Sequence, residues 1–400
     1  MDHSMDTRGR CARCALICLN ILSVAASASV GPNAVEWNDT PPNSVGADAP
    51  GGSADVLSSL FPIGVDVQPT FNFARWQSRG CNTLIRVPDG HDIDVWTREA
   101  NRLGLYMVRE PRPNPADDLG ETLLLAWSQA DEPDIRGQPT REEAQALYDR
   151  LKGTDPNRPV IINFSGGVVL KLQTGTGCAG PGDLTGDPTC YPAYIAAADW
   201  ISNDIYPVTG WNRPDRLTWV GQAIDKLRGW SESRPQFAYI ETSSQRFISG
   251  HRGVTPDEFR AEVWNAIIHG ARGIWYFPVA FNPFSFDETP PDVVDEMVRQ
   301  NRTITELASV LQGPINPETL DAVVPEPLEV AWRNATSGGH FVVLNKSNVT
   351  LSAQSIGLSG IGSATSAVVY GEDRSIPIAD GTISDDFGPY ALHIYVVDLP

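Results

Sequence analysis

Two short stretches place a glutamate where it can do chemistry. In AWSQADEPD, residues 126–134, an apolar run from Leu123 to Trp127 gives way to small and polar residues and stops at Asp131-Glu132-Pro133. That pattern predicts a buried parallel strand that delivers a carboxylate to its C-terminal end, where proline forbids further ladder pairing. The second stretch, FAYIETSSQ, ends an apolar run on Glu241, 109 residues later. Two carboxyl groups with divided roles, one protonated and one ionised, are what glycoside hydrolysis uses. Glu132 would donate to the leaving oxygen and Glu241 would attack the anomeric carbon. Either glutamate alone reads equally well as a solvated strand end. The pair is informative only if a fold brings both to one face.

The intervening sequence predicts such a fold. Eight short, continuously apolar segments recur at helix-sized intervals: 61–67, 82–87, 105–110, 122–127, 159–164, 199–206, 237–242 and 273–278. Runs of this kind belong to a parallel sheet covered by helices. Thr140 with Glu143, and Thr255-Pro256-Asp257-Glu258, are capping boxes that open two of the helices. Gly80, Gly104, Gly153 and Gly270 read as helix stops. Eight units over about 250 residues is the usual length of a (β/α)₈ barrel. An open doubly wound sheet would want G-x-G-x-x-G after its first strand, and this sequence has none there. The expected class is therefore α/β, a TIM barrel over 56–312 with a small antiparallel β domain over 313–400. On this count Glu132 closes strand four and Glu241 strand seven, at the end of the barrel where catalytic residues gather.

Charge and targeting narrow the partners. The 400 residues carry a formal net charge of −19, a field that repels phosphate backbones and argues against nucleic acid. Arg8, Arg10 and Arg13 precede CALICLNILSVAASA, which ends on the small-x-small site Ala26-Ser27-Ala28. Residues 1–28 thus read as a secretory signal, too short in its apolar part to span a membrane, and 29–55 as a flexible leader. A secreted or periplasmic protein follows, with no membrane partner. Export permits disulfides, and Cys178 with Cys190 in one Gly-rich loop is the natural pair. Cys81 reads as a buried thiol, and the scattered cysteines and histidines give no zinc spacing. No cofactor is expected, and oligomeric state is not readable.

The constellation resembles clan A of the glycoside hydrolases, the retaining (β/α)₈ enzymes. In that clan an acid/base glutamate closes strand four, usually as Asn-Glu-Pro, and a nucleophile glutamate closes strand seven. The resemblance covers residues 60–312 and implies an oligo- or polysaccharide substrate, β-linkage and two-step double displacement. Glu132 in ADEPD matches the acid/base and Glu241 in IETSSQ the nucleophile. Arg86 in NTLIRVP matches an arginine that steadies the nucleophile, Tyr206 in NDIYP a tyrosine that donates to it, and Trp275 in GIWYFP a tryptophan under the sugar. The departure is Asp131, where the clan has asparagine. An ionised carboxylate accepts a hydrogen bond but cannot donate one, and beside Glu132 it would favour protonation of the acid. Asp131 also favours the competing expectation, a barrel that binds carbohydrate without turnover.

Other residues fall at the same rim. Asp66, Glu110 and Asn163 follow strands one, three and five and are candidate partners for sugar hydroxyls. Trp211, Phe281, Phe284 and Phe286 lie in loops after strands six and eight, where aromatic faces stack on sugars or simply pack. The long loop 165–198 is expected to overhang the barrel mouth as a lid.

Overall fold

The computed structural model describes residues 56–169, 178, 190–244 and 250–399. The signal and leader readings, and most of the 165–198 loop, fall outside the described residues.

Eight strands close a parallel barrel in chain order: β1 (Ile63–Asp66), β2 (Thr83–Ile85), β3 (Tyr106–Arg109), β4 (Leu124–Ser128), β5 (Val160–Phe164), β6 (Trp200–Asp204), β7 (Gln236–Glu241) and β8 (Ile274–Phe277). Closure is direct, since β1 pairs with β8 through Ile63–Ile274, Gly64–Trp275 and Val65–Tyr276. Each strand coincides with a segment expected from the sequence, β4 running one residue past its segment to Ser128 and β7 beginning one residue before its segment at Gln236. The continuous apolar runs have a simple cause: alternate residues face opposite, equally dry surfaces. Ile85, Val108, Ile161, Trp200, Phe237, Tyr239 and Trp275 share one cluster that fills the lumen. Their strand neighbours Leu84, Met107, Ile162, Ile201, Ala238 and Tyr276 belong to the cluster beneath the helices. Gly64 is a glycine for space, because a Cβ there would sit 2.5 Å from the Trp275 ring.

The helices are α1 (Phe73–Ser78), α2 (Ile93–Leu103), α3 (Pro133–Arg136), α4 (Arg141–Thr154), α5 (Cys190–Ala196), α6 (Trp219–Ser231), α7 (Pro256–Ile268), α8 (Pro291–Glu306) and α9 (Ala308–Leu311). Both expected capping boxes form, Thr140 with Glu143 on α4 and Thr255 with Glu258 on α7. Gly104 ends α2 in the left-handed region. Gly153 does not end α4, which runs on through Thr154 to an extended cap at Asp155. One glycine costs a helix interior only about 1 kcal/mol.

After β8, β9 (Ala280–Phe281) pairs antiparallel with β10 (Phe284–Ser285). Beyond the barrel, β11–β18 form two antiparallel sheets, β12 (Leu328–Ala335), β13 (Gly338–Asn345), β18 (Leu392–Val397), β15 (Ser366–Val369) and β16 (Arg374–Pro377) in one, β11 (Asp321–Val323), β14 (Leu351–Ser359) and β17 (Thr382–Phe387) in the other. They enclose a second core around Phe341, Val343, Ile356, Ile383, Phe387 and Tyr395. The opposite face of β13, Val342 and Leu344, joins the barrel's outer core. Polar bonds fix the joint: Asn265 Nδ2 donates to Glu329 at 2.8 Å, and Arg260 Nε donates to the Tyr390 carbonyl at 3.0 Å. Cys178 and Cys190 are disulfide-bonded, and Cys81 is a buried free thiol. Among the described residues no helix is long and apolar enough to cross a membrane.

Candidate active site

Alternation along the strands decides which side chains arrive at the barrel mouth. Gly64, Ile85, Val108, Ile161, Trp200, Phe237 and Trp275 face the lumen, so Asp66, Glu110, Asn163, Asp204 and Phe277, each an even number of residues further on its strand, face the same side near the top. The chain then bends sharply. Val67, Arg86 and Glu132, following β1, β2 and β4, all take positive φ values of 43°, 54° and 49°. Left-handed backbone is uncommon for such residues and clusters at functional sites.

These turns assemble a charged network. Arg86 donates from Nε to Asp66 Oδ1 at 2.9 Å, pairs its second arm with Asp66 Oδ2, and reaches Asp131 Oδ2 at 2.6 Å through Nη1. Asp131 also accepts from Asn163 Nδ2 at 3.0 Å and from Arg136 at 3.2 Å, while Asn163 Oδ1 accepts from Ser202 Oγ at 2.8 Å. Burial opposes ionisation of Asp131, but Arg86, Asn163 and Arg136 outweigh it and hold its pKa below the usual range. The aspartate in place of asparagine therefore has a local reason, since an amide would turn a donor or a neutral oxygen toward Arg86. Asp66 is enclosed, and its burial outweighs Arg86 to raise its pKa. Tyr239 Oη lies 3.4 Å from it.

Glu132 is the N-cap of α3, its side chain 19 % exposed, with Oε2 accepting from Arg136 Nη2 at 2.7 Å. Its carboxyl also meets that of Asp204, from the end of β6. Asp204 is half-buried, its Oδ1 has no donor, and desolvation followed by the nearby Glu132 and Asp131 pushes its pKa well up. Behind Glu132, Asp134 accepts from Ser165 N at 3.1 Å, Ser165 Oγ at 2.8 Å and Tyr191 Oη at 3.2 Å, and burial raises it to about 6.

Glu241 is treated differently. Its strand position aims it at the lumen, yet the side chain is fully buried and its carboxylate is held by the loop after β6. Val208 N and Thr209 N each donate at 2.7 Å, and Thr209 Oγ1 donates as well. The carboxyl of Glu262, on α7, lies against it, and burial raises the pKa of both. Arg86, expected at Glu241, spends its fork on Asp66 and Asp131. Tyr206, expected to donate to Glu241, is enclosed beside Asp204 and stacks on Phe277 at 5.4 Å. Trp275 is 1 % exposed, stacked on Phe237 at 5.0 Å deep in the lumen, so the β8 side chain that rises to the mouth is Phe277. Trp211 packs edge-on to Trp219 at 5.7 Å and against Gly166, where a Cβ would come within 2.1 Å of the indole. Glu110 sits beside Arg86 and Asp66, its pKa raised by burial.

The structure thus brings together Asp66, Arg86, Asp131, Glu132 and Asn163, with Tyr206 near by and Glu241 set apart. Sequence reading missed Asp204. The signal was present in DWISND, where Trp200, Ser202 and Asp204 occupy alternate positions of one strand. Among the described residues no three His, Cys, Asp or Glu side chains are arranged to hold a metal ion.

No protein-family model and no curated protein matches this chain. Solved structures do match its fold. A glycoside hydrolase family 5 protein from Bacteroides vulgatus superposes with a TM-score of 0.55 at 12 % identity, over 85 % of this chain and 89 % of that one. The α-amylase of Geobacillus thermoleovorans, complexed with acarbose, gives 0.54 at 9 % identity over 82 % and 90 %. Eubacterium rectale Amy13B gives 0.53 at 8 % over 86 % and 96 %. At these identities the likeness is one of fold, a (β/α)₈ barrel followed by a C-terminal β domain.

Proposed function

We propose that this chain is an exported glycoside hydrolase acting on an oligo- or polysaccharide, with β-linkage the clan-level expectation. The observation that carries the reading is Glu132 itself, a half-sheltered carboxyl at the barrel mouth with a second carboxyl against it and an arginine-braced acidic network around it. A neutral sugar suits such a rim, because carboxylates and Asn163 offer acceptors and donors to hydroxyls. Fold neighbours that are a glycoside hydrolase and an acarbose-complexed amylase support the class. In this reading Glu132 donates a proton to the leaving oxygen and then activates water. Glu241 holds the strand-seven place and is assigned the attack. The loop Tyr206–Thr209 that caps it is the segment that has to yield for that attack. The disulfide and the N-terminal residues fit export.

One observation favours a second reading. With Glu241 enclosed by Val208, Thr209 and Glu262, the mouth would bind saccharide without cleaving it. Product analysis by mass spectrometry on plant, algal and bacterial polysaccharides, with wild type beside Glu132→Gln and Glu241→Gln, separates the two. Sugar release by wild type alone supports the two-glutamate hydrolase. Release by Glu241→Gln at the wild-type rate removes the nucleophile assignment. Binding without any release by wild type favours the lectin-like barrel.

A further inference from the structure

Asp204 is a carboxyl at the mouth that the two-glutamate scheme leaves without a task. It is half-buried at the end of β6, and its Oδ1 is sealed from solvent without a donor. The charges that act on it most strongly are negative: Glu132 in contact, then Asp131 and Asp134. The cations of the site are turned elsewhere, Arg86 to Asp66 and Asp131, Arg136 to Glu132 and Asp131. Tyr206 and Tyr239 complete its surroundings. Two carboxyl groups in contact are costly to ionise together, since the like charges favour one proton in the pair at rest. An acceptor sealed without a donor is costly, whereas a protonated carboxyl there becomes a donor. Arg136 pairs with Glu132, so the anion of the pair belongs on Glu132 and the proton on Asp204.

We propose that Asp204 is a positioning residue for Glu132 and the resting holder of the proton that Glu132 delivers. This inference rests on the glycosidase reading. Before reaction Asp204 is neutral and Glu132 ionised. As Glu241 bonds the anomeric carbon and the glycosidic bond breaks, the proton passes from Asp204 to Glu132 and from Glu132 to the leaving oxygen, which departs as an alcohol and leaves Glu132 and Asp204 ionised. Glu132 then takes a proton from the attacking water, whose oxygen bonds the anomeric carbon while the Glu241–glycosyl ester breaks and frees Glu241 as a carboxylate. The proton returns to Asp204, and the pair ends as it began. The transient double anion is the unfavourable state, so it drives recovery of the proton from water.

The test compares Asp204→Asn with wild type on two kinds of glycoside, a natural oligosaccharide and an activated aryl glycoside whose leaving group needs little proton help. The amide keeps a donor toward Glu132 but carries no transferable proton. The expected result is a loss of about 10²-fold in kcat/KM on the oligosaccharide and less than about threefold on the aryl glycoside, within the range for general acid catalysis. The alkaline limb of the pH–rate profile should also move to lower pH, because the like charge that retains the proton is gone. Equal losses on both substrates with an unmoved limb would mean Asp204 only supports the fold, and would overturn the proposal. A substrate-free arm separates this from failure of the glycosidase reading. Infrared difference spectra at pH 7 should show one protonated carboxylic acid lost in Asp204→Asn, and the same band shifted in Glu132→Gln, a change at a partly exposed residue. An unchanged band in Glu132→Gln refutes the shared proton whether or not any glycoside is cleaved.

Discussion

Two carboxyl–carboxyl contacts among the described residues are built in opposite ways. At the mouth, Glu132 meets Asp204 with one partner partly exposed, an arginine at its back and a sealed oxygen that no group satisfies. Beside β7, Glu241 meets Glu262 with both side chains fully buried, and Glu241 is saturated by three donors from Val208 and Thr209. Neither oxygen of Glu262 meets a donor, so its proton has to serve the Glu241 anion. A charge that is fully satisfied and dry contributes to structure and is costly to disturb. A charge left partly satisfied and wet is poised to exchange a proton. The mouth pair therefore reads as chemistry, and the buried pair as a tie between the β6 loop and α7 that also holds the candidate nucleophile.

The largest expected effect breaks the comparison if it fails. Glu241→Ala strands the Val208 and Thr209 amides and the Glu262 acid, and should cost about 3–5 kcal/mol. Glu132→Ala removes a partly exposed pair with Arg136 and should cost about 1 kcal/mol or less. Denaturant midpoints at pH 7 measure both, and equal midpoints would dissolve the distinction.

Next in size is a pH effect next to the mouth pair. Burial raises Asp134 from 3.8 to about 6, so between those values the folded state binds more protons than the unfolded chain. Stability from this group is complete below 3.8 and is lost as pH rises through about 6, to the extent of about 3 kcal/mol. Asp134→Asn keeps an acceptor for Ser165 N and lacks that slope. Its stability relative to wild type should rise between pH 4 and pH 7 in parallel denaturation curves.

Glu262→Gln should show the same sign at the buried pair. Burial, then Glu241, raises Glu262 well above the ordinary 4.5, so wild-type stability declines as pH climbs above that value. The variant should melt a few degrees above wild type at pH 8 and no higher at pH 4.5. A variant that melts lower at both pH values would mean that Glu262 is held as an anion.

How much of this was legible in the sequence follows from which physics each part uses. The eight strands were readable because burial on both faces leaves unbroken apolar runs, and Thr140 and Thr255 announced their helices through local capping. Asp204 was readable in principle, two steps beyond Ser202 on the lumen side. The fate of Arg86 was not. Its fork goes to Asp66 and Asp131 because of left-handed turns at Arg86 and Glu132, and backbone strain leaves no mark on residues that are not glycine. Glu241 was placed correctly on β7, but its capture by Val208 and Thr209 depends on where a loop 33 residues earlier comes to rest.

The smallest structural change offers the sharpest test of the mouth pair. Arg136 is 42 % exposed and donates to Glu132 at 2.7 Å, so Arg136→Gln should move stability by only about 0.5 kcal/mol. Its effect on turnover should be visible all the same. Activity needs one proton on the Glu132–Asp204 pair, and the guanidinium favours the state that has lost it. Removing that cation lets the pair keep its proton to higher pH, so the alkaline limb of kcat/KM should move up. Asp204→Asn removes a like charge and should move the same limb down. Two substitutions at partners of Glu132 thus have opposite signs, which a general loosening of the site cannot produce. If both variants shift the limb in one direction, the proton is not shared between Glu132 and Asp204, and the division between a working pair and a structural pair falls with it.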